Sequence, residues 1–163
     1  MEAPSLAGRE VSVDDLPFVR AVWNDERVAP TIGGPRTEDE LRERIAGWRR
    51  HWEAHGFGAT LFHERSTGHP IGWGGLQHST IGIGECLTVG YVIAPSSWGR
   101  GYATAIATAS VAHAFDTLDA DQVHASVLST NQASRRVLEK AGLSVVTEID
   151  HGSHVEVIYV VTR

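Results

Sequence analysis

The segment Trp98–Thr104, WGRGYAT, lies where an apolar run gives way to a helical pattern. The run LTVGYVIAPSS (87–97) precedes it, and AIATASVAHAF (105–115) follows it. Glycine weakens both a strand and a helix, because it loses more conformational freedom on folding than any other residue. Gly99 and Gly101 therefore indicate a place where the backbone has to stay uncovered.

An anion is the ligand that suits such a place. The first N–H groups of a helix have no intrahelical partners and carry a partial positive charge, so phosphate oxygens bind there. Gly99 and Gly101 would let the main chain wrap closely round the anion, while Arg100 adds charge and Thr104 a hydroxyl. The pattern predicts a pyrophosphate-binding loop. For a lone Gly-x-Gly, the simpler reading of a strand-to-helix turn is favoured.

Two other phosphate loops do not fit the sequence. A Walker A loop needs Gly-Lys-Ser/Thr, and the single lysine of the chain, Lys140, lies far from any such loop. A dinucleotide-binding fingerprint needs a third glycine, where this chain has Thr104.

Length and composition limit the class of protein. The chain has 163 residues, of which 42% are hydrophobic and 21% charged, values that predict a single globular domain spanning 1–163. A net charge of −6 argues against a nucleic-acid partner. No run approaches roughly 18 apolar residues and the first ten residues have no apolar core, so we expect a cytoplasmic protein without a membrane partner. Cys86, the one cysteine, excludes an internal disulfide. The preference for arginine over lysine is typical of a GC-rich bacterial genome.

The first third of the chain reads as helical. A short helix is opened by Ser12, and a longer one covers TEDELRERIAGWRRHWEAHG (37–56). Thr37 and Glu40 have the spacing of a capping box, and Gly56 is a plausible stop. The apolar residues of the second helix recur at helical spacing: Leu41, Ile45, Trp48 and Trp52.

The remainder alternates between strands and helices. Its predicted elements are strands over 57–64, 69–79 and 84–94, a helix over 101–116, a strand over 121–129, a helix over 131–142 and a closing hairpin around 151–153. The order is α-α-β-β-β-α-β-α-β-β after a short N-terminal strand. A strand, helix and strand from 84 to 129 predict a parallel crossover, so the fold class is α+β with a mixed sheet.

Three stretches in this order resemble one protein family: PIGWGGL (70–76), VGYVIAPSSWGRGYAT (89–104) and NQASRRVLEKAGL (131–143). Over residues 10–161 the chain is similar to the GCN5-related N-acetyltransferases (GNAT), and it looks like the branch of the ribosomal-protein N-terminal acetyltransferases. The acetyl-coenzyme A loop of that family reads Gln/Arg-x-x-Gly-x-Gly/Ala. Here Trp98 occupies the first position, followed by Gly101 and Ala103. The resemblance implies a mostly antiparallel mixed sheet with helices on both faces.

The resemblance also implies a reaction. Acetyl-coenzyme A would donate its acetyl group to the primary amine of a small molecule or of a protein N-terminus, which attacks the thioester directly, without a metal. The cofactor-binding residues that it implies are Val92, Ile93, Gly99, Arg100, Gly101, Tyr102, Ala103, Thr104 and Asn131. A backbone N–H near Val92 or Ile93 would stabilise the oxyanion, and the pantetheine arm would bind the backbone of the same two residues where the fourth and fifth strands splay. Asn131 would also cap the helix that follows it.

The catalytic residues are less clearly marked. Ser134 matches the serine of the family's Asn-x-x-Ser helix and would stabilise the departing thiolate. A base is needed because an α-amino group has a pKa of about 8 and is mostly protonated at neutral pH. Thr88 stands nearest the place where this branch often has an acid. Glu85, three residues earlier, is the first candidate for the base, followed by His78 and Glu148. For each of these residues, an exposed position on a strand without a catalytic role remains an alternative.

Other interpretations stay open. An acyl-coenzyme A sensor that binds without turnover fits the missing acid, and a structural domain that binds no coenzyme is a third option. Dimerisation is common in the family, so a homodimer is open as well. His51 and His55 have a spacing that can bind metal, but a pair at the surface or pocket rim is favoured. If the family layout holds, Trp23, the loop APTIGG (29–34) and the second helix line the acceptor side.

Overall fold

The computed structural model describes residues 5–163. In that part of the chain the strands are β1 (Leu6–Glu10), β2 (Thr60–Glu64), β3 (Pro70–Ile81), β4 (Gly84–Ile93), β5 (Gln122–Leu128), β6 (Ser144–Asp150) and β7 (Val155–Thr162). The helices are α1 (Leu16–Trp23), α2 (Glu38–His55), α3 (Tyr102–Asp116) and α4 (Gln132–Lys140), with single 3-10 turns at Val13–Asp15, Ala29–Thr31 and Pro95–Ser97. This order confirms the predicted one, including the short N-terminal strand.

Seven strands form one mixed sheet. Their hydrogen-bonded order is β1-β2-β3-β4-β5-β7-β6. The pairs β1–β2, β2–β3, β5–β7 and β6–β7 are antiparallel. β4 and β5 are parallel, with Thr88 opposite His124, which confirms the predicted crossover through α3. The mostly antiparallel α+β class is likewise confirmed.

The chain divides into two compact units. The first comprises the residues up to Gly75 together with Tyr91–Tyr102, and the second comprises Leu76–Gly90 with Ala103–Arg163. β3 and β4 each contribute residues to both units.

The first unit is built around aromatic side chains from α1, α2 and β3. Trp73 stacks on Trp23 with ring centroids 6.1 Å apart, and the ring centroids of Phe18 and Trp48 lie 6.4 and 6.1 Å from that of Trp73. Large aromatic rings remove much apolar surface from water, so this group is a main source of stability in the unit. The core around it comprises Val11, Leu16, Val19, Val22, Val28, Leu41, Ile45, Ala59, Leu61 and Ala94.

The predicted helix signals were mostly confirmed. The Thr37 N–H donates to a Glu40 carboxylate oxygen at 2.7 Å, and the Glu40 N–H donates back to the Thr37 hydroxyl at 3.3 Å. Gly56 ends α2 with a φ of 74°, in the left-handed region. Ser12 differs from the prediction, because it opens a 3-10 turn and α1 begins only at Leu16.

The second unit packs α4 against β5 and β7. Val123, Ala125 and Val127 are buried on alternate positions of β5, as one face of a strand requires. Tyr159 on β7 is fully buried, and its hydroxyl accepts a hydrogen bond from Arg135 on α4 at 3.0 Å. One face of α3 is covered, since Ile106, Ala107, Val111 and Ala114 are buried and Ala103 is half-buried.

Among the described residues, none of the helices has the length and apolar character that crossing a lipid bilayer requires.

Candidate active site

The loop between β4 and α3 contains two glycines whose surroundings leave the main chain uncovered. Gly99 has a φ of 73° and Gly101 a φ of 77°, values that favour glycine. Within residues 5–163, a Cβ built on either residue would meet no atom within 4 Å apart from those of its own chain neighbours. α3 begins at Tyr102, directly after Gly101. The helix therefore opens next to uncovered main chain, the geometry that an anion needs.

Two side chains of this loop, those of Arg100 and Tyr102, converge on Glu64, the last residue of β2. The Tyr102 hydroxyl donates to Glu64 Oε1 at 2.7 Å, and the Arg100 guanidinium forms an ion pair with the same oxygen. The Arg100 guanidinium also lies 5.0 Å from the centre of the Tyr102 ring. Thr67 donates to the other carboxylate oxygen at 2.8 Å. Glu64 is thus a site residue that sequence reasoning missed, because no local pattern connects positions 64 and 100.

The protonation states in this cluster follow from its contacts. The hydrogen bond from Tyr102, followed by those from Thr67 and Arg100, holds the pKa of Glu64 below its usual value. Burial, and then the bond to Glu64, raises the pKa of the Tyr102 phenol. At neutral pH the cluster therefore contains a carboxylate and a protonated tyrosine.

At the end of β4, the main-chain groups of Val92 and Ile93, the two residues expected to bind pantetheine, face opposite edges of the strand. The Ala94 N–H donates to the Ile71 carbonyl at 2.8 Å, so the main chain of Ala94 faces β3. The Val92 carbonyl oxygen also points to β3, since it lies 2.1 Å from the position of a Cβ built on Gly72. Main-chain groups alternate along a strand, which places those of Ile93 on the opposite edge of β4.

Trp98 occupies part of that edge. Its indole N–H donates to the Ile93 carbonyl at 2.8 Å, while 48% of the residue remains exposed. The Arg27 guanidinium lies 5.8 Å from the ring centre. The Ile93 carbonyl therefore already accepts a hydrogen bond. The Ile93 N–H is the main-chain group of this residue that is a candidate donor to a ligand.

In the second unit, Asn131 caps α4. Its side-chain oxygen accepts a hydrogen bond from the Ser134 N–H at 3.1 Å, which confirms the predicted cap. Ser134 is half-buried in the first turn of that helix. The cap ties the Ser134 main chain to the start of the helix.

The candidate bases lie on three different strands. Glu85 is exposed near the start of β4, His78 is exposed on β3, and Glu148 is exposed on β6 opposite Val157. Thr88 is buried on β4, and its hydroxyl lies 3.1 Å from the Gln77 carbonyl.

His124 on β5 was also missed by the sequence analysis. It stands opposite Thr88 in the parallel register. Burial lowers the pKa of its imidazole, and Nδ1 is buried without a hydrogen-bond partner within the described residues. A neutral imidazole beside the expected position of the base can accept a proton. Its sequence surroundings, QVHASV, give no signal beyond a strand.

His51 and His55 lie together in the first unit, with ring centroids 4.5 Å apart. His51 Nδ1 lies 2.8 Å from the Phe57 carbonyl oxygen. This contact is a structural use for His51, and the expectation of a site without metal stays a prediction.

The site thus consists of a glycine loop that leads from a strand into a helix, set in a mixed seven-stranded sheet. The chain belongs to the GNAT acetyltransferase family, because the family model described as "Acetyltransferase (GNAT) domain" matches residues 6–144. The resemblance seen in the sequence is thereby confirmed at the level of the family, and the class of enzyme is N-acetyltransferase.

Known proteins are similar to the chain in sequence or in fold. The uncharacterized protein YkkB of Bacillus subtilis (strain 168) is 27% identical over 130 residues, which cover 80% of this chain and 76% of YkkB. An acetyltransferase crystal structure from Agrobacterium tumefaciens matches with a TM-score of 0.85 at 23% identity, covering 100% of this chain and 94% of that one. The spermidine N-acetyltransferase of Vibrio cholerae, solved with CoA and spermine, matches with a TM-score of 0.76 at 17% identity, covering 96% and 95%. At these identities the two structures support the fold.

Proposed function

We propose that this protein transfers an acetyl group from acetyl-coenzyme A to the primary amine of a small molecule or of a protein N-terminus. The observation that carries the proposal is the open main chain at Gly99 and Gly101, immediately before α3. Two positive-φ glycines leave the main chain uncovered by side chains, and a helix N-terminus attracts a diphosphate. Ala103 and Thr104, in the first turn of α3, complete this pyrophosphate loop.

The thioester end of the coenzyme would lie along β4. The Ile93 N–H is the proposed donor to pantetheine or to the oxyanion of the tetrahedral intermediate, since the main chain of Val92 faces β3. Val92 would then contribute through its side chain. The Vibrio cholerae relative was solved with CoA, which supports coenzyme A as the ligand class.

The chemical step needs a base for the amine and a partner for the thiolate. Direct attack forms the C–N bond and a tetrahedral intermediate, which expels the coenzyme thiolate as the C–S bond breaks. Ser134 is proposed to donate a hydrogen bond to that thiolate, and Asn131 to contact the pantetheine arm. Glu85 remains the first proposed base, with His78 and Glu148 behind it, and His124 joins them because its lowered pKa keeps it neutral at pH 7.

Binding and turnover are tested separately. At a coenzyme concentration of 100 times Kd, a specific site stabilises the folded state by about 2.7 kcal/mol. The unfolding temperature, Tm, should therefore be measurably higher when acetyl-coenzyme A is present. Thiol release is then followed with a panel of amines that contains a polyamine, an aminoglycoside, amino acids and peptides with free N-termini.

Each outcome selects one interpretation. Stabilisation together with amine-dependent thiol release supports the enzyme. Stabilisation without amine-dependent release would leave the sensor, the second candidate, which is favoured by Thr88 in place of an acid. No stabilisation would leave a domain that binds no coenzyme.

A further inference from the structure

We propose that Glu64 is the positioning residue of the pyrophosphate loop: it holds the main chain around Gly99 and Gly101 in the shape that receives the diphosphate of the coenzyme. This inference rests on the proposed function, and it adds a residue from another strand to the coenzyme site. The observation behind it is the convergence of Arg100 and Tyr102 on one carboxylate.

The loop needs support from outside its own backbone. Gly99 and Gly101 have positive φ values, and the space where a side chain would stand is empty for both. Glycine has the widest conformational freedom, so such a segment samples many shapes unless its neighbours restrain it. Arg100 lies between the two glycines and Tyr102 follows the second. Each of them is tied to Glu64, so the restraint reaches both sides of Gly101.

Glu64 is well placed to act as a fixed point. It pairs with Leu6 on β1, and its own N–H donates to the His69 carbonyl at 2.9 Å. Its carbonyl accepts from the Gly68 N–H at 2.7 Å. The Thr67 hydroxyl donates to the second carboxylate oxygen at 2.8 Å, so this bond is separate from those that the first oxygen accepts from the loop.

The rigidity of Tyr102 completes the restraint. Tyr102 is only 3% exposed, so its ring is fixed by packing while its hydroxyl reaches Glu64. The same residue starts α3. The contact between Tyr102 and Glu64 therefore ties the first residue of the helix, and with it the first N–H groups, to the end of β2.

Because Glu64 is negatively charged, charge repulsion and positioning predict opposite changes in coenzyme affinity when it is removed. A carboxylate close to a diphosphate repels it, and this one also neutralises Arg100. If electrostatics were the whole effect of Glu64, its removal would tighten coenzyme binding. Positioning predicts the opposite result, since a loosened loop has to be ordered again at the moment of binding.

The experiment measures the Kd of coenzyme A by calorimetry, together with kcat and KM for acetyl-coenzyme A, in four variants. Glu64→Ala is expected to raise Kd and KM roughly tenfold with kcat within about twofold, the effect of losing about one charged hydrogen bond. Glu64→Gln should fall between Glu64→Ala and the unmodified protein, because the amide oxygen still accepts from Tyr102. Tyr102→Phe should raise Kd several-fold.

Thr67→Val is the matched control. Like Tyr102→Phe, it removes one hydroxyl that donates to Glu64, but on the side of the carboxylate away from the loop. We expect its Kd and KM to stay within about twofold of the unmodified values. If Glu64→Ala fails to fold, Tyr102→Phe and Thr67→Val, which keep their size, carry the comparison.

The outcomes separate this inference from the proposed function. Unmodified protein that binds coenzyme A, together with a Glu64→Ala variant that binds it equally well or more tightly, overturns the role of Glu64 and leaves the function intact. An equal loss in Thr67→Val and Tyr102→Phe overturns the role as well. If the unmodified protein binds no coenzyme A, both proposals fall together.

Discussion

The N-termini of α3 and α4 are the same structural feature handled in two ways. Each is the start of a helix, where N–H groups lack intrahelical partners. At α4, the residue before the helix is Asn131, whose side chain accepts the Ser134 N–H at 3.1 Å. At α3, the residue before the helix is Gly101, which has no side chain with which to cap. The start of α4 is capped by a side chain next to it in sequence, whereas glycine precedes α3.

The difference also appears in how the preceding segment is held. Asn131 needs no distant partner, because its capping bond is local. The loop before α3 has positive φ values at Gly99 and Gly101, and its side chains depend on Glu64, 36 positions away from Arg100. The segment before α3 is thus tied to a distant strand, whereas the cap of α4 is local.

The largest effect is expected from closing the open terminus. Gly101→Asp places a carboxylate where the diphosphate is proposed to bind, so coenzyme affinity should fall about a hundredfold or more, as measured by calorimetry. Gly152→Asp is the control, because Gly152 has a φ of 82° and also open surroundings. Both variants place the same side chain in the same backbone region, yet the control should bind coenzyme normally. Unchanged affinity in Gly101→Asp would refute the loop assignment.

A smaller effect is expected at the first turn of the capped helix. Ser134→Ala should lower kcat about tenfold, which corresponds to the loss of one hydrogen bond to a charged group, with KM nearly unchanged. Steady-state kinetics with the best amine from the panel measure this, and Ser144→Ala on exposed β6 serves as the control. Equal turnover in Ser134→Ala would remove Ser134 from the mechanism.

The cap itself separates stability from binding. Asn131→Ala should lower the free energy of unfolding by about 1 kcal/mol, while Asn131→Asp, an equally good cap, should leave it nearly unchanged. Urea denaturation measures both. If Asn131 also contacts pantetheine, both variants lose several-fold in coenzyme affinity, because neither has the amide donor. Normal binding by Asn131→Asp would reduce Asn131 to a cap.

The smallest effect is expected on the pH dependence of stability, through His124 in the second unit. The pKa of His124 is lowered in the folded protein, whereas in the unfolded chain it is about 6.5. Below pH 6.5 the unfolded state binds a proton that the folded state does not, so stability falls as pH decreases toward the folded pKa. His124→Gln should flatten the loss of stability between pH 7 and pH 5, because glutamine takes up no proton in either state.

Urea denaturation at several pH values measures this change. Carboxyl groups whose pKa is lowered, such as Asp15 and Glu156, lose their stabilisation only at more acidic pH, so they do not obscure the window. Identical pH profiles for His124→Gln and the unmodified protein would mean that burial does not lower the pKa of His124.

The sequence predicted the elements well because their signals are local. The capping box of Thr37 and Glu40, the stop at Gly56 and the cap at Asn131 each depend on residues within four positions of one another. The paired glycines at 99 and 101 gave the loop for the same reason. Where a boundary was off, as at Ser12, a 3-10 turn preceded the helix and the N-cap signal alone does not distinguish the two.

What the sequence determined by itself is therefore the order of helices and strands, the bare glycine loop and the family to which that combination belongs. The tertiary structure alone decided that Glu64 holds Arg100 and Tyr102, that Ile93 and not Val92 turns its main chain away from β3, and that His124 stands opposite Thr88. Local bonds can be read from spacing along the chain. Contacts between strands depend on register and on which edge each peptide group faces, and these are set only when distant segments pair.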